Sequence, residues 1–386
     1  MRFLHIADLH IGKRVREHLM MDEQRHAFEQ MRAIAVREQV DAVLIAGDVF
    51  DKSVPSRDAL ELFEELLASF VSMHIPVCAI PGNHDAAHLL GYCSSLVASA
   101  GIYIARPYAG SIATVRLENP HGAVDVHLLP FIRPTDVRMA HPQRAEEVRT
   151  HDDAVRVALE EHTLDAQVRN VLVAHQFVVD TDATPETSDS ETAHVGGIDA
   201  VQAAHFDAFD YVALGHLHRA QKVRRAEVRY AGSPVCYSFS EAGQAKSVCV
   251  VDVESEGVSV HTVPLVPLRA MREIEASFED IQAGVDTGDH DDYLHITLTD
   301  RSVYDALNRL RVLYPNLLWL SWSDALEGDA ARAAQCLQNM RGKTPIELFA
   351  DFYKTQTGLE LTNNERAMVE EVLSATQGIE RTGGAR

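Results

Sequence analysis

A chain of 386 residues, 46% hydrophobic and 24% charged, is long enough for two or three domains and too evenly mixed to be fibrous or disordered. Its 35 Lys and Arg against 57 Asp and Glu leave a net charge of -22. That balance excludes a protein that coats nucleic acid by bulk attraction, but not one with a local basic groove or an acidic cluster held for metal. The five cysteines (Cys78, Cys93, Cys236, Cys249, Cys336) show no paired spacing, which suits a reduced protein rather than a disulfide scaffold. The opening Met1–Asp8 run carries charge too early for a signal peptide, and no apolar run nears the roughly 18 residues of a membrane span. A cytoplasmic location is the expectation.

In chain order, Arg2–Ala7 reads as a strand, and Glu23–Gln39 as a helix with apolar residues at Ala27, Phe28, Met31, Ile34 and Ala35. Asp41–Ala46 is a short apolar run, Arg57–Phe70 a second helix, and Pro76–Ile80 another strand. Asn170–Ala174 and Tyr211–Leu214 repeat the strand pattern. Strands that alternate with helices and have no wet face predict a layered α/β fold. The segment Asp180–Gly197, rich in Asp, Thr and Ser, reads as an irregular, mobile, acidic loop that supplies no ligand. Pro264 and Pro267 punctuate a boundary, after which Met271–Ala276, Tyr293–Thr299, a helix over Val303–Leu313, and Leu317–Trp322 form a small β-β-α-β unit. The expected divisions are 1–265, 266–323, a polar linker 324–342, two capped helices within 343–377, and a disordered tail 378–386. In the first capped helix Ile346, Phe349, Phe352 and Tyr353 recur at three and four, a single apolar stripe. Helices this short must bury such stripes, either on the chain's own core or on a partner.

Five predicted strands each run into a polar cluster: Asp8-Leu9-His10, Gly47-Asp48, Gly82-Asn83-His84-Asp85, Ala174-His175, and Gly215-His216-Leu217-His218. Ligands in open α/β sheets bind beyond the carboxyl ends of strands, so the clusters can converge. Carboxylate, carboxamide and imidazole without thiol suit divalent manganese, iron or zinc in a non-structural site. The ligands are too many for one ion, and two ions sharing a carboxylate are the natural count. Such a pair, about 3.5–4 Å apart, suits phosphoester hydrolysis. Singly, each cluster reads as well as a turn or a core histidine; five in order after strands do not.

The series D-x-H, GD, GNHD, H, GHxH resembles the calcineurin-like metallophosphoesterase superfamily. The features Asp8-Leu9-His10-Ile11-Gly12, Gly47-Asp48-Val49-Phe50-Asp51, Ala231-Gly232-Ser233-Pro234 and Ser238-Phe239-Ser240-Glu241 are similar to its bacterial SbcD exonuclease branch. The resemblance implies a layered β-sandwich flanked by helices (1–265), a small α+β capping domain that binds DNA (266–323), and C-terminal partner-binding helices. It implies one metal on Asp8, His10, Asp48 and His218, and a second on Asp48, Asn83, His175 and His216, both Mn2+ in the family's habit. His84 would face the scissile phosphate, and Asp85 would orient His84. Ile346, Phe349, Phe352 and Tyr353 would meet an SbcC-type SMC-like ATPase, with the chain as a homodimer inside a heterotetramer on DNA at the nucleoid. The implied activity is exonuclease on double strands and endonuclease on single strands or hairpins, in repair, recombination and replication. A stand-alone phosphatase or cyclic-nucleotide phosphodiesterase, and a scaffold on the same fold, are the alternatives. Lys13, Arg14, Arg16, Lys222, Arg224 and Arg225 read equally as solvated loops or as DNA contacts.

Overall fold

The structure, a computed structural model, describes residues 1–120, 122–180, 185–191, 199–300 and 302–323, together with Ile346, Glu347, Phe349, Ala350, Tyr353, Thr362, Glu365, Arg366, Met368 and Val369. It divides into two compact units. The first holds Met1–Ile274, Gln282–Ile296 and Asp305–Leu320; the second holds Glu275–Ile281, Thr297–Tyr304 and the described residues from Ser321 on.

The first unit is built on two six-stranded sheets. One runs Gly257–Pro264, Ser247–Glu254, Arg2–Ile6, Ala42–Ala46, Val77–Ile80, Ile102–Ile104 in spatial order. Its last four strands are parallel, and Ser247–Glu254 pairs antiparallel with Arg2–Ile6. The other runs Gln221–Val223, Arg225–Tyr230, Tyr211–Gly215, Arg169–His175, Gly122–Leu129, Ala113–Asn119. The strands alternate between two dry faces, as side chains of period two must. Phe3, Leu44, Cys78 and Ile80 meet Val126, Val171, Val173, Tyr211 and Ala213 in one cluster between the sheets. Leu4, Ile6, Val43 and Ile45 turn outward onto helices Met21–Arg37 and Arg57–Ser72 through Phe28, Met31, Leu62, Phe63 and Phe70. On the far side Leu172, Ala174, Val212 and Leu214 face Val155 and Ala158 of helix His151–Glu160. The order is helix, sheet, sheet, helix, the layered α/β fold expected from the alternating strands and helices.

Two of the sheet's antiparallel additions, Ser247–Glu254 and Gly257–Pro264, and the hairpin Ala113–Asn119 with Gly122–Leu129 were not among the sequence expectations. Ala113–Asn119 and Gly257–Pro264 are half-exposed with polar residues interleaved, unlike the continuous apolar run of a parallel strand, whereas Ser247–Glu254 and most of Gly122–Leu129 are buried. A third sheet orders Met271–Ala276, Tyr293–Leu298 and Leu317–Trp322, with a short helix Phe278–Gln282 that the β-β-α-β reading lacked and a helix Ala306–Leu313. The expected boundary near residue 265 has a buried cluster running across it, in which Val15, Met20, Tyr237 and Phe239 pack with Met271 and Tyr293. In the second unit the Phe278 N–H donates to Asp300 (2.6 Å) and the Ser323 N–H to the Leu298 carbonyl (2.9 Å).

The linker 324–342, the tail 378–386, Phe352 and Cys336 lie outside the described residues. Ile346, Phe349 and Tyr353 are helical, with Phe349 exposed. The second capping box forms, Thr362 and Glu365 exchanging side-chain to backbone bonds. Among the described residues no helix is long and apolar enough to cross a membrane.

The inter-sheet core also holds a histidine. His5 is fully buried, its Nε2–H donating to the Leu214 carbonyl (3.1 Å) while Nδ1 accepts from the Tyr211 hydroxyl (2.8 Å). Burial drops its pKa to about 3, so below its ordinary 6.5 the unfolded chain binds the proton that the folded chain refuses. Stability from this residue is intact above pH 6.5 and lost as pH falls towards 3. The loss should reach roughly 3 kcal/mol by pH 4. Urea midpoints between pH 7 and pH 4 should therefore fall more steeply for the wild type than for His5→Leu, which is weaker at pH 7 but lacks the titration. Parallel slopes would show that His5 takes no part.

Candidate metal centre

The strand ends meet where the two sheets face each other. Asp8 and His10 follow Arg2–Ile6, Asp48 follows Ala42–Ala46, Asn83 and His84 follow Val77–Ile80, His175 closes its own strand, and His216 and His218 follow Tyr211–Gly215. Asp8, His10, Asp48, His175, His216 and His218 are buried. Their ligand atoms fall into overlapping groups within 4.8 Å of one another: Asp8, His10 and His218; Asp8, Asp48 and His175; His10, Asp48 and His84. Asn83 Oδ1 joins them, 3.0 Å from His175 Nε2 and 3.1 Å from His216 Nδ1. The partly buried His84 lies within the same reach as the rest.

Backbone geometry builds the convergence. The loops after the first two strands are laced together, the Asp8 N–H donating to the Gly47 carbonyl, that of His10 to Asp48, and that of Ile11 to Val49. Four of the cluster's residues carry left-handed backbone without being glycine: Asp8 (φ 53°), His10 (42°), Asp48 (48°) and His216 (110°). Such strain collects at functional sites and persists only where the surroundings hold it. Two glycines allow the final approach. A Cβ on Gly82 would strike the Asp48 carboxylate, and one on Gly215 would strike the Ala46 carbonyl and the His175 ring.

The electrostatics follow from lone pairs brought face to face. His175 commits Nδ1–H to the Ala46 carbonyl (2.8 Å), so Nε2 meets Asn83 Oδ1 and Asp48 Oδ2 (3.3 Å) with a lone pair unless it takes a second proton. Burial alone would lower its pKa, but Asp48 and Asp8 outweigh burial and raise it to about 9. Burial pushes Asp8 up to about 7. Asp48 resists the same burial through His175 and His10 and lies well below the carboxylate range. His10 and His216, lowered chiefly by burial (His216 to about 3), stay neutral. His10 Nε2 stands 3.1 Å from His218 Nε2. Asp8 Oδ2, His10 Nδ1 and His216 Nε2 are buried without a hydrogen-bond partner. Buried acceptors facing acceptors call for a shared cation. With oxygen and imidazole donors and no thiol, the set fits divalent metal.

Other residues hold this set in place. Asp85, expected to orient His84, also has a backbone task. Its two oxygens accept from the backbone N–H groups of Val49 (3.0 Å), Phe50 (2.9 Å) and Gly82 (2.9 Å), bracing the loops that carry Asp48 and Asn83. His84 Nδ1 sits 3.1 Å from the Asp51 carbonyl. The loop expected to stand apart reaches in: Ser190 Oγ is 2.7 Å from His218 Nδ1, and Glu191 accepts the His218 N–H. Glu241 and Lys246 form a buried ion pair beneath that residue, with Lys246 Nζ donating to the His218 carbonyl (3.0 Å). The Gly-Ser-Pro and Ser-Phe-Ser-Glu motifs thereby acquire a task, Ser233 N–H donating to the same carbonyl. Only these motifs signalled Glu241 in the sequence; nothing pointed to Ser190 or Lys246.

A sequence profile of the calcineurin-like phosphoesterase family matches residues 1–220, and one described as the type 5 capsule protein repressor C-terminal domain matches residues 267–357. The SbcD subunit of the nuclease SbcCD from Staphylococcus epidermidis is 31% identical over 381 residues, covering 97% of this chain and 98% of that protein. Among solved structures, GAP50, the anchor in the inner membrane complex of Plasmodium, covers 83% of this chain and 96% of its own at 13% identity and a TM-score of 0.41. A dimetal phosphatase from Danio rerio covers 69% and 99% at 14% identity and a TM-score of 0.40.

Because Gly82 leaves room for the Asp48 carboxylate, Gly82→Ala should displace that carboxylate and lower the divalent metal retained after dialysis. The accompanying stability loss should be about 1–3 kcal/mol. Elemental analysis of the folded variant checks this. Wild-type metal content would show that Asp48 tolerates the added methyl.

Proposed function

The chain belongs to the calcineurin-like phosphoesterases, within the family of SbcD nuclease subunits, and on that premise we propose that it is a metal-dependent DNA nuclease subunit. Its reaction is phosphodiester hydrolysis, exonucleolytic on double-stranded ends and endonucleolytic on single strands and hairpins, in the processing of DNA during repair, recombination and replication. The observation that carries this reading is the ring of buried oxygen and imidazole donors around Asp48, with His175 Nε2 3.3 Å from its carboxylate and three further polar atoms left without hydrogen-bond partners.

Asp8, His10, Asp48 and His218 would hold one ion and Asp48, Asn83, His175 and His216 the other, Asp48 serving both; Mn2+ is the family's preference. Two such ions supply Lewis-acid polarisation of a phosphodiester and a water acidic enough to attack near neutral pH. The protein's part is orientation. The Ala46 carbonyl fixes the tautomer of His175, and Ser190 with Glu241 fixes that of His218, so each ring presents Nε2 inward. His84, its Nδ1 on the Asp51 carbonyl, would exchange a proton with the leaving oxygen. Asp85 stiffens the frame beneath both.

The relative's designation as a subunit of SbcCD supports a complex with an SbcC-type SMC-like ATPase, the chain acting as a homodimer within a heterotetramer. The apolar residues Ile346, Phe349 and Tyr353, helical in the structure, with Phe352, are the proposed contact on that partner's coiled coil, in helix-in-groove fashion. Truncation after Gly342 should leave metal binding intact and abolish co-purification with the ATPase. Unchanged co-purification would place the partner site elsewhere.

The nuclease reading is tested on linear and hairpin DNA with Mn2+, with and without the ATPase, alongside phosphomonoester and cyclic-nucleotide substrates. His84→Ala should retain both metals and lose about two orders of magnitude in cleavage rate, whereas Asp48→Ala should lose metal and activity together. Equal metal loss in both would overturn the role given to His84. Turnover of the small substrates without DNA cleavage would make the chain a phosphatase or phosphodiesterase.

A further inference from the structure

Gln24 stands in the first turn of helix Met21–Arg37 and is fully buried. It lies on the stripe of Ala27, Phe28 and Met31, where an apolar residue would be expected. Its amide is spent on the loop that carries the first two cluster residues. Nε2 donates to the carbonyls of Leu9 (3.0 Å) and His10 (2.7 Å) and lies 3.0 Å from the Tyr237 hydroxyl, while Oε1 accepts the Gly12 N–H (3.1 Å). This orientation of the amide is forced, because the end facing two carbonyls must be the NH2 and the end facing an N–H must be the oxygen. The Tyr237 hydroxyl donates to the same Leu9 carbonyl. The helix turn that presents Gln24 is itself anchored, since its neighbour Glu23 accepts from the Tyr293 hydroxyl (2.6 Å) and from Arg269.

The loop so held is the strained one. Asp8 and His10 are both left-handed, and His10 must place its ring edge-on to His84 (centroids 4.8 Å) with Nε2 3.1 Å from His218 Nε2. A side chain that ties Leu9, His10 and Gly12 together fixes the peptide planes on both sides of the His10 Cα, and with them the direction of its Cβ. No other polar side chain of helix Met21–Arg37 touches that loop in the described hydrogen bonds.

We propose that Gln24 is the positioning residue of the Leu9–Gly12 loop and sets the affinity of the cation held by Asp8, His10 and His218, leaving the one beside Asn83, His175 and His216 largely untouched. The inference rests on the metal-centre reading above. It also says why an amide is needed. Glutamate would set oxygens against two carbonyls, methionine would offer no hydrogen, and asparagine is a methylene too short.

The experiment is equilibrium dialysis of Mn2+ against the full chain, with the absorption spectrum of the Co2+-loaded protein as a second readout. The wild type should bind two ions. Gln24→Met and Gln24→Glu should each weaken one of them by about 10- to 100-fold, the range for residues that orient a metal ligand, and hold the other within about threefold. The Co2+ spectrum should change for one ion only. Folded Gln24→Met with both affinities at wild-type values, or with both lowered alike, would overturn the proposal. Should Gln24→Met fail to fold, Gln24→Glu is read by the same criteria. A wild type that retains no Mn2+ would instead sink the metal-centre reading, and this inference with it.

Discussion

The Asp48 carboxylate lies where two sheets close on each other and water is gone. Its Oδ1 accepts one N–H, from His84 at 2.9 Å, and its Oδ2 faces His175 and His10 at 3.3 and 3.6 Å. A buried anion with so little hydrogen bonding is costly unless positive charge is shared with it. In the chain alone Asp48 and Asp8 favour the protonated form of His175, which is why a fully buried imidazole is raised and not lowered. Every other feature of the centre can be read as a way of keeping this arrangement in place. A proton fills one of the gaps between acceptors and leaves Asp8 Oδ2, His10 Nδ1 and His216 Nε2 with nothing. Divalent ions, each able to accept several lone pairs at once, answer all of them together.

Holding lone pairs against one another demands a stiff frame, and the fold supplies it by spending backbone conformation. Four left-handed residues in one small volume amount to several kcal/mol of local strain, at about 1–2 kcal/mol each. The dry faces of both sheets, filled by Leu4, Ile45, Leu172 and Leu214 on their outer sides and by Phe3, Leu44 and Val173 between them, offset that cost. The strain also explains why the supports are polar and buried. Asp85 gathers three N–H groups across two loops, and Lys246 with Glu241 fills the space beneath His218. An apolar residue at either place would fill volume but could not fix a carbonyl or an imidazole in direction.

This division explains what the sequence disclosed. Asp8, His10, Asp48, Asn83, His175, His216 and His218 stood out because each follows an apolar run directly, and a parallel strand delivers its next residues to one sheet edge. The layered α/β fold was legible for the same reason. The hairpin Ala113–Asn119 with Gly122–Leu129 was not, since its first strand is largely wet and its second interrupts the apolar run with Asp125 and His127. Gln24 was hidden inside a helix whose apolar stripe seemed complete without it. Ser190 and Glu191 were hidden in a segment whose acidity suggested only solvent. Asp85 was seen, but not its reach: proximity in sequence pointed to His84, while its carboxylate also accepts from the backbone of Val49 and Phe50 at another strand end. Residues that bear chemistry announce themselves locally; those that orient them act largely through contacts distant in sequence and leave no local pattern.

Charge is the last constraint. The chain carries -22, and five of the six cations flagged in its sequence are engaged within it. Lys13 pairs with Asp51 (2.8 Å), Arg14 donates to the Glu17 carbonyl (2.7 Å), and Arg16 covers the Trp319 ring (3.8 Å). Arg224 pairs with Asp207 (2.9 Å), and Arg225 donates to the Phe209 carbonyl (2.5 Å). Each of these cations, flagged in the sequence as a solvated loop or a DNA contact, has a structural task inside its own chain. A surface of this kind repels a polyanion over a Debye length of about 8 Å at physiological salt. For the proposed substrate, attraction must then come from divalent charge at the centre and from the partner protein. The acidic exterior in turn discourages non-specific coating of duplex DNA, whose affinity scales with the phosphates neutralised. On that argument the acidity is a specificity device: a phosphodiester gains by approaching only where the metal centre lies open to it.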